Sequence, residues 1–403
     1  MRRNKKIRLL VIAVLVALSC SAYSILYAST NNPYRELNAE AKDSLLQKRV
    51  NAIRSDYESI GLSVVTVKNG EIVYSQNFGY NPDISDTTKK SPIKRDDLFL
   101  IASVSKTFVG TAIMQLIEKG LISLDDDASK FLGYKLRNPR YPQMPITIRM
   151  LLCHRSGLVR RSPFGSKTLY VLKDGYEEKI IKLFEDFEPG SSKSYSNIAY
   201  TILGAVIENV TGSRFDDYVE KNILRPLGIS GGYDILRMDT TRFVRTYFYK
   251  NGRFIKTSPI YSKDKIPDEQ YKIGYSTTAL WPSGGMIISS EDLAKFMICH
   301  INEGELPNRK RILRKQSEKL LWERQSGTNI GLSFVHFAGV LPGIDLIGMS
   351  GGARGIHSYM LFEPNEKFGF VVICNGCTSK AVDGSDMNKL IIRELYNAFI
   401  NCK

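Results

Sequence analysis

Strand-like segments lie at both ends of this chain once its first 60 residues are set aside. Residues 61–68 and 71–78 are rich in β-branched and aromatic side chains, and they flank Asn69-Gly70, a dipeptide typical of tight hairpin turns. Near the other end, residues 357–364 and 369–373 are again strand-like. Because strictly alternating βα units would give a different order, this pattern predicts an antiparallel sheet assembled from both ends of the chain.

Helical periodicity occupies the middle. A strand-like tetrapeptide, Leu98–Ile101, leads into a helical segment that Gly120 closes, and helical patterns return at 197–210, 214–222 and 290–303. A last helical segment begins near Asp386. The predicted fold class is therefore α+β, with a helical subdomain inserted between the two parts of the sheet. We expect residues 60–403 to form one domain of the size of an enzyme.

The first 30 residues predict export. Leu9–Ala28 is a run of 20 uncharged residues behind five Lys and Arg residues. Such a helix spans about 30 Å, the thickness of a bilayer core, and the basic flank predicts a cytoplasmic N-terminus. We favour a retained membrane anchor, while a cleaved signal peptide or a lipoprotein signal at Cys20 stays open. All three put the domain outside the cytoplasm, in the periplasm or at the cell surface, after a polar spacer at 31–59.

The basic excess does not indicate nucleic acid. The formal net charge is +15 for 403 residues, and residues 128–173 hold ten Lys and Arg with no acidic residue. No nucleic-acid motif or interleaved aromatic pattern accompanies these charges. A solvated face, or attraction to anionic lipid or cell-wall polymer, is the better interpretation for an exported protein.

Two familiar kinds of site fit the sequence poorly. The four histidines include no His-x-His or His-Glu-x-x-His pattern, so a zinc site has no ligand set. A Gly-x-Ser-x-Gly pattern occurs at Gly348–Gly352, but a nucleophile elbow needs a helix after it and a later histidine. The segment after this pattern is strand-like, and the one later histidine is His357. An α/β-hydrolase is therefore disfavoured.

The better candidate is a Ser-x-x-Lys pattern. Three occur, at Ser91/Lys94, Ser103/Lys106 and Ser262/Lys265, but only Ser103 stands where a strand enters a long helix. Helix N-termini favour developing negative charge, and Lys106 follows one turn later on the same face. A half-buried lysine there can accept a serine proton, although a capping serine with a surface lysine would give the same pattern.

A second element precedes the helix at 197–210. Tyr195-Ser196-Asn197 puts a tyrosine and an asparagine in the loop at the helix start. Beside a lysine cation, a tyrosine can have its pKa lowered and carry protons. The asparagine amide can hold the lysine and bind a substrate carbonyl.

Taken in order, these segments resemble the serine β-lactamase-related hydrolases, which include class C β-lactamases, D-alanyl-D-alanine carboxypeptidases and β-lactamase-like esterases. The shared segments run from Gly61 to the C-terminus: SVSKTFVGTAIMQLIEKGLISLDD, ITIRMLLCHRSGL, YSNIAYTILGAVIENVTG, RPLGI and PSGGMIISSEDLAKF. The resemblance implies a β-lactamase/transpeptidase-like fold and no metal or cofactor. It further implies Ser103 as the acylated nucleophile, Lys106 as its proton acceptor, Tyr195 as acid and base, and Asn197 as a substrate-binding residue.

The strand that usually carries Lys-Thr-Gly or His-x-Gly in this family is matched by residues 348–355. The resemblance then implies substrate binding by Ser350, Gly351, Gly352 and Arg354, with the Gly352 and Ser103 N–H groups as the oxyanion hole. Met349 departs from the pattern, because a thioether cannot bind a substrate carboxylate. We therefore expect esters or capped peptides rather than penicillins, unless Arg354 or His357 supplies the missing charge. His154 is expected to be a structural hydrogen-bonding residue.

Two functions are compatible with this reasoning. The first is an exported serine hydrolase that cleaves an ester, amide or peptide bond of a small molecule or peptide, cell-wall fragments included. The alternative is a catalytically silent, penicillin-binding-protein-like module that binds ligand or cell wall. The intact Ser, Lys and Tyr set favours the enzyme.

Overall fold

The computed structural model describes residues 32–82, 90–257, 268–325, 327–353, 355–378 and 385–402. The predicted anchor at 9–28 and Arg354 lie outside these ranges. Among the helices described, none combines the length and the apolar character needed to cross a bilayer.

A seven-stranded antiparallel sheet forms the centre, with the strand order β3-β2-β1-β12-β11-β10-β9. Its strands are β1 (Gly61–Lys68), β2 (Glu71–Pro82), β3 (Lys90–Pro92), β9 (Val335–Leu341), β10 (Ile344–Ala353), β11 (Ile356–Glu363) and β12 (Phe368–Cys374). β1 pairs with β2 through the predicted Asn69-Gly70 turn, and on its other side with β12, from Leu62 opposite Cys374 to Lys68 opposite Phe368. The prediction of a sheet built from both chain ends is confirmed.

Five further strands within the described residues are short. β4 (Phe99–Leu100), β5 (Gly231–Gly232) and β8 (Ile287–Ile288) make a three-stranded sheet, and β6 (Tyr247–Lys250) and β7 (Arg253–Lys256) form a hairpin. β4 therefore falls inside the strand-like tetrapeptide predicted at 98–101.

The helices described are α1 (Ala39–Asp56), α2 (Ser105–Glu118), α3 (Ser129–Leu132), α4 (Ile148–Leu152), α5 (Thr168–Asp174), α6 (Glu177–Ile180), α7 (Asn197–Thr211), α8 (Phe215–Val219), α9 (Ser290–Ile301), α10 (Lys315–Trp322) and α11 (Ser385–Phe399). The helices predicted at 197–210 and 290–303 are α7 and α9. The one predicted at 214–222 is α8, continued as a π-helical turn at Glu220–Leu224. The mixed α+β class is confirmed.

The two faces of the sheet are covered by different helices. Alternate side chains of a strand point to opposite faces. On β1, Leu62 and Val64 pack with α1 and α11, whereas Val65 and Val67 join the main core. That main core includes α2, α7 and α9, which belong to the helical part of the molecule. The predicted β-lactamase-like architecture therefore has one helical layer on each face of the sheet.

The predicted spacer at 31–59 differs from its expected form. The sequence indicates a short helix there, but α1 is 18 residues long, with Leu46 and Val50 completely buried against the sheet. Few apolar positions are needed to cover the face of a sheet, so a mostly polar sequence conceals this role.

Candidate active site

Ser103 sits in a strained turn between β4 and α2. Ala102 has a positive φ of 47°, which is unusual for a residue with a side chain. A 3-10 turn at Ala102–Val104 leads directly into α2, which begins at Ser105. The Ser105 hydroxyl donates to the Ala102 carbonyl (2.6 Å) and accepts from the Met286 N–H (3.0 Å), which holds the turn in place. Ser103 is thereby presented, half-buried, at the start of a helix.

Lys106 is completely buried one turn further along α2. Its Nζ lies 3.2 Å from Ser103 Oγ, 2.8 Å from Asn197 Oδ1 and 2.6 Å from the Ser283 carbonyl oxygen. Burial lowers the pKa of Lys106 well below its ordinary value, and the positive charge of Arg160 lowers it further. Burial thus favours the neutral amine, which can donate to the amide and carbonyl oxygens and can use its lone pair to accept the proton of the serine hydroxyl.

Tyr195 completes a chain of hydrogen bonds. Its hydroxyl donates to Ser103 Oγ at 2.7 Å, and its ring lies beside the lysine, with Lys106 Nζ 5.0 Å from the ring centroid. Burial raises the pKa of Tyr195 to about 12, although the bond to Ser103 and the charge of Arg160 act in the opposite direction. The tyrosine is thus a neutral proton donor, whereas the sequence reasoning anticipated a lowered pKa. Burial also lowers the pKa of the neighbouring Lys106, which disfavours the lysine cation that the sequence reasoning expected beside this tyrosine.

The loop that carries Tyr195 is fixed from behind. Ser196 caps α7, because its Oγ accepts from the Ala199 N–H (3.1 Å). The Ser196 N–H donates to Nδ1 of His154 (3.2 Å), whose ring packs 4.3 Å from that of Tyr195. His154 is buried, and burial lowers its pKa, so the ring is a neutral acceptor. It has the structural role expected of it.

The β10 side of the site depends on small residues. A Cβ on Gly351 would lie 2.4 Å from the Ile101 carbonyl oxygen and 3.0 Å from the Ser103 nitrogen, so only glycine lets this strand approach the turn. Gly352 follows it and lines the cavity. Ser350 pairs with Tyr359, whose ring packs on the opposite face of the sheet. Ser350 is not among the described residues that line the cavity.

Met349 is buried in the main core and does not line the cavity in the described part of the chain. The chain therefore presents neither a cation nor any other polar group from this position. His357 lies on β11, opposite Gly352 of β10. It too is absent from the described residues that line the cavity. Arg354, the other residue considered for this charge, lies outside the described residues.

A cavity of about 520 Å³ opens over Ser103. Several of its lining residues were not found from the sequence: Arg160, Tyr233, Thr278, Trp281 and Ser283. Thr278 Oγ1 and Ser283 Oγ are buried there without a hydrogen-bond partner among the described residues. In the sequence, the Gly284-Gly285 pair was the feature that could have drawn attention to this part of the cavity wall. A Cβ on either glycine would lie within 2.8 Å of Trp281 or Leu280 atoms. Such glycines indicate a tight turn but not what it encloses.

The cysteines and acidic residues suggest no additional site. Within the described ranges, no three His, Cys, Asp or Glu side chains converge as metal ligands do. Cys153, Cys299, Cys374, Cys377 and Cys402 are all free thiols.

Comparison with known proteins identifies the family. The sequence model of the beta-lactamase family, described as Beta-lactamase, matches residues 43–392. Protein flp of Staphylococcus aureus strain N315 is 28% identical over 328 residues, which are 78% of this chain. The chain spans 59% of the length of that relative.

Two solved structures share the fold. The D-amino acid amidase of Ochrobactrum anthropi has a TM-score of 0.64 and 22% identity, covering 88% of this chain and 99% of its own. EstCE1, a hydrolase with promiscuous acyltransferase activity, has a TM-score of 0.69 and 21% identity, covering 89% and 100%. With most of its length matched by the family model, the chain belongs to the beta-lactamase family, in the serine hydrolase superfamily that has the β-lactamase/transpeptidase fold.

Proposed function

We propose that this protein hydrolyses an ester, amide or peptide bond through an acyl-enzyme on Ser103. The observation that carries the proposal is the chain of two contacts in which the Tyr195 hydroxyl donates to Ser103 Oγ and Ser103 Oγ faces the buried amine of Lys106. Such a chain activates a nucleophile and supplies an acid within one hydrogen-bonded unit.

In the first step, Ser103 Oγ attacks the substrate carbonyl and its proton moves to the neutral amine of Lys106. The backbone N–H groups of Ser103 and Gly352 stabilise the oxyanion that forms. The closeness of Gly351 to the Ser103 nitrogen supports this pairing, because it brings β10 against the nucleophile turn. Removing one such donor typically lowers the rate about 100- to 1000-fold.

In the second step, the tetrahedral intermediate collapses and the Tyr195 phenol gives its proton to the leaving group. At this point Tyr195 has lost one proton and is a phenolate, and Lys106 has gained one and is an ammonium. Transfer of that proton from lysine to tyrosine restores both. Water then attacks the acyl-enzyme while the Lys106 and Tyr195 pair accepts one of its protons. The same pair returns that proton to Ser103 Oγ as the bond to the acyl group breaks, which releases the carboxylic acid product and restores the serine hydroxyl.

Esters and peptides are preferred to β-lactams in this proposal, since Met349 offers no cation at the position used for the carboxylate of penicillins. We also propose that the enzyme is exported and anchored by residues 9–28, where the basic flank and apolar run support it. The proposed substrates include peptides derived from the cell wall, which an exported enzyme would meet.

Intact-mass spectrometry of the full-length protein tests the mechanism. The protein is incubated separately with a fluorophosphonate, p-nitrophenyl acetate and benzylpenicillin, beside Ser103→Ala and the matched control Ser166→Ala, an exposed serine that lines the same cavity. We expect phosphonyl and acetyl adducts on the wild type and the control, and none on Ser103→Ala. Adducts that persist in Ser103→Ala would overturn the assignment. A wild type that none of the probes modifies would favour the silent binding module.

A further inference from the structure

The hairpin formed by β6 and β7 is separate from the central sheet. Its two strands pair with each other and, among the described strands, with no other. The base of the hairpin is held by the end of β12, because the Tyr247 N–H donates to the Asn375 carbonyl (2.9 Å) and the Asn375 amide donates to the Arg245 carbonyl (3.0 Å). These bonds fix a two-stranded ribbon that would be only marginally stable alone.

One face of this hairpin is turned to solvent. Alternate residues of a strand share a face, so the register places four exposed side chains together: Phe248, Lys250, Arg253 and Ile255. Phe248 and Ile255 lie directly opposite each other, with 49% and 40% of their surface exposed. The opposite face is half-buried except at Lys256. The outer face therefore combines an apolar cross-strand pair with two cations next to the turn.

The charge of the hairpin has one sign. Residues 243–257 contain four Lys and Arg residues and no acidic residue. Within the part of the chain that the structure describes, no carboxylate forms an ion pair with Lys250 or Arg253. An anionic surface therefore complements the outer face in charge, and an apolar layer complements its Phe248 and Ile255 side chains.

We propose that the outer face of the β6–β7 hairpin binds the surface of an anionic lipid bilayer. Phe248 and Ile255 enter the boundary between headgroups and acyl chains, and Lys250 and Arg253 contact lipid phosphates. A soluble polyanion could neutralise the cations but would leave the apolar pair in water, whereas a bilayer interface accepts both. The long stems of Lys and Arg let their charges reach phosphates while neighbouring apolar side chains are buried.

The hairpin is attached next to the cavity. A Cβ on Gly355 would overlap the Tyr247 carbonyl oxygen, so the base of β6 packs against the turn between β10 and β11. Gly352 and Ala353, which line the cavity, lie just before that turn. Binding of the hairpin to a bilayer therefore sets the distance between the cavity and the lipid surface.

Quenching by brominated lipid tests the proposal. In the full-length protein, Phe248→Trp places a fluorophore on the outer face. Leu121→Trp is the matched control, because Leu121 is also 49% exposed but lies past the far end of α2, about 20 Å along the helix from Ser103. The wild type gives the background from Trp281 and Trp322. The vesicles contain brominated phosphatidylcholine, alone or mixed with phosphatidylglycerol.

We expect strong quenching of Phe248→Trp by the anionic vesicles, much weaker quenching by phosphatidylcholine alone, and none above background for Leu121→Trp. High salt should reverse the quenching, since the cations are exposed. Because the signal is read at one position, it does not depend on whether residues 9–28 hold the chain on the vesicle. Equal quenching by the two kinds of vesicle, or equal quenching of the two variants, would overturn the inference.

Charge reversal on the same face gives a second test. Added to Phe248→Trp, Arg253→Glu should abolish most of the quenching, whereas Lys319→Glu, the same change of charge at an exposed position on α10, should not. Thermal denaturation checks that both variants are folded. A folded Arg253→Glu variant that is still fully quenched would contradict the role of the cations.

Two further outcomes separate this inference from its alternatives. If a soluble anionic polymer shifts the emission of Phe248→Trp and vesicles do not quench it, the bilayer is wrong and the face binds cell-wall polymer. Added to Phe248→Trp, Ser103→Ala should leave the quenching unchanged, because binding of lipid needs no catalysis. The inference therefore stands or fails independently of the proposed hydrolase.

Discussion

The Tyr195 hydroxyl lies 2.7 Å from Ser103 Oγ, although 92 positions separate the two residues in the sequence. Their meeting depends on two helix starts facing each other, that of α7 behind Tyr195 and that of α2 behind Ser103. Lys106 joins the two elements, because one amine contacts both Ser103 and Asn197. The site therefore lies where the starts of α2 and α7 meet, and side chains from both helices hold it in place.

Replacing Lys106 tests its role as base. In Lys106→Met we expect kcat/KM for p-nitrophenyl acetate to fall about 100- to 10,000-fold, the usual range for a lost general base. The thioether also leaves the Ser283 carbonyl and the Asn197 amide oxygen without their donor, so thermal denaturation should be measured in parallel. A folded variant that keeps near wild-type turnover would exclude Lys106 as the proton acceptor.

The pH dependence of the reaction is set by the same residue. A base must be deprotonated to act, so kcat/KM should rise with pH as Lys106 loses its proton and then level off. Because burial lowers the pKa of Lys106, the plateau should begin well below the ordinary range of lysine. Tyr195, with a pKa raised to about 12, should cause no loss of activity up to about pH 10. A rise that begins only near the ordinary lysine pKa would contradict the neutral amine.

The Tyr195→Phe variant tests whether Tyr195 donates a proton to the leaving group or only positions Ser103. An alkyl ester has a poor leaving group that needs a proton, whereas p-nitrophenolate leaves without one. We expect acylation by an ethyl ester to slow by about 100-fold or more, and acylation by p-nitrophenyl acetate to slow much less. Stopped-flow rates for the two esters check this. Equal losses on both would indicate that Tyr195 positions Ser103 and does not donate the proton.

Gly351→Ala should separate β10 from the nucleophile turn. The added methyl group would overlap the Ile101 carbonyl oxygen at 2.4 Å, so something must shift. Overpacking of this kind typically costs about 1–3 kcal/mol in the free energy of unfolding. Gly352→Ala is the stability control, because its Cβ would meet no atom within 4 Å. Urea denaturation compares the two; equal stabilities would remove the proposed close approach.

Glu208→Gln should loosen the wall of the cavity at residues 271–277. One carboxylate oxygen accepts from the Phe215 N–H (2.9 Å) and the Tyr271 hydroxyl, and the other accepts from the Gly274 N–H (2.7 Å) and the Thr277 hydroxyl. Whichever way the amide is oriented, its nitrogen faces a backbone donor. We expect a loss of about 1–3 kcal/mol in the free energy of unfolding. A variant with unchanged thermal stability would show that these bonds do not hold the wall.

Sequence reasoning found the parts of the site that are local. Ser103 and Lys106 are one helical turn apart, and Tyr195 and Asn197 flank one helix cap, so short patterns contain them. The Ser283 carbonyl and the Arg160 guanidinium reach the site from loops, and no local pattern indicates where a loop will end in space. The direction of the Tyr195 pKa was missed for the same reason, because burial depends on neighbours distant in the sequence.

The fold was predictable where periodicity was strong. The hairpin at Asn69-Gly70 and the helix after Ser103 are indicated by patterns of period two and 3.6. The length of α1 was missed because only Leu46 and Val50 in it are completely buried. Which strands lie side by side is set by long-range pairing, and the sequence indicated the sheet only through the order of its segments.

The pairing of β1 with β12 at the centre of the sheet has a consequence for how the chain folds during its synthesis. β1 lies between β2 and β12, and Lys68 pairs with Phe368, about 300 residues later in the chain. Contacts this distant require the closure of a very long loop before they contribute stability. The ribosome must therefore release the chain as far as β12 before β1 can find its second partner. A chain cut short before β12 keeps the serine, lysine and tyrosine, yet lacks the strand that joins the two halves of its sheet.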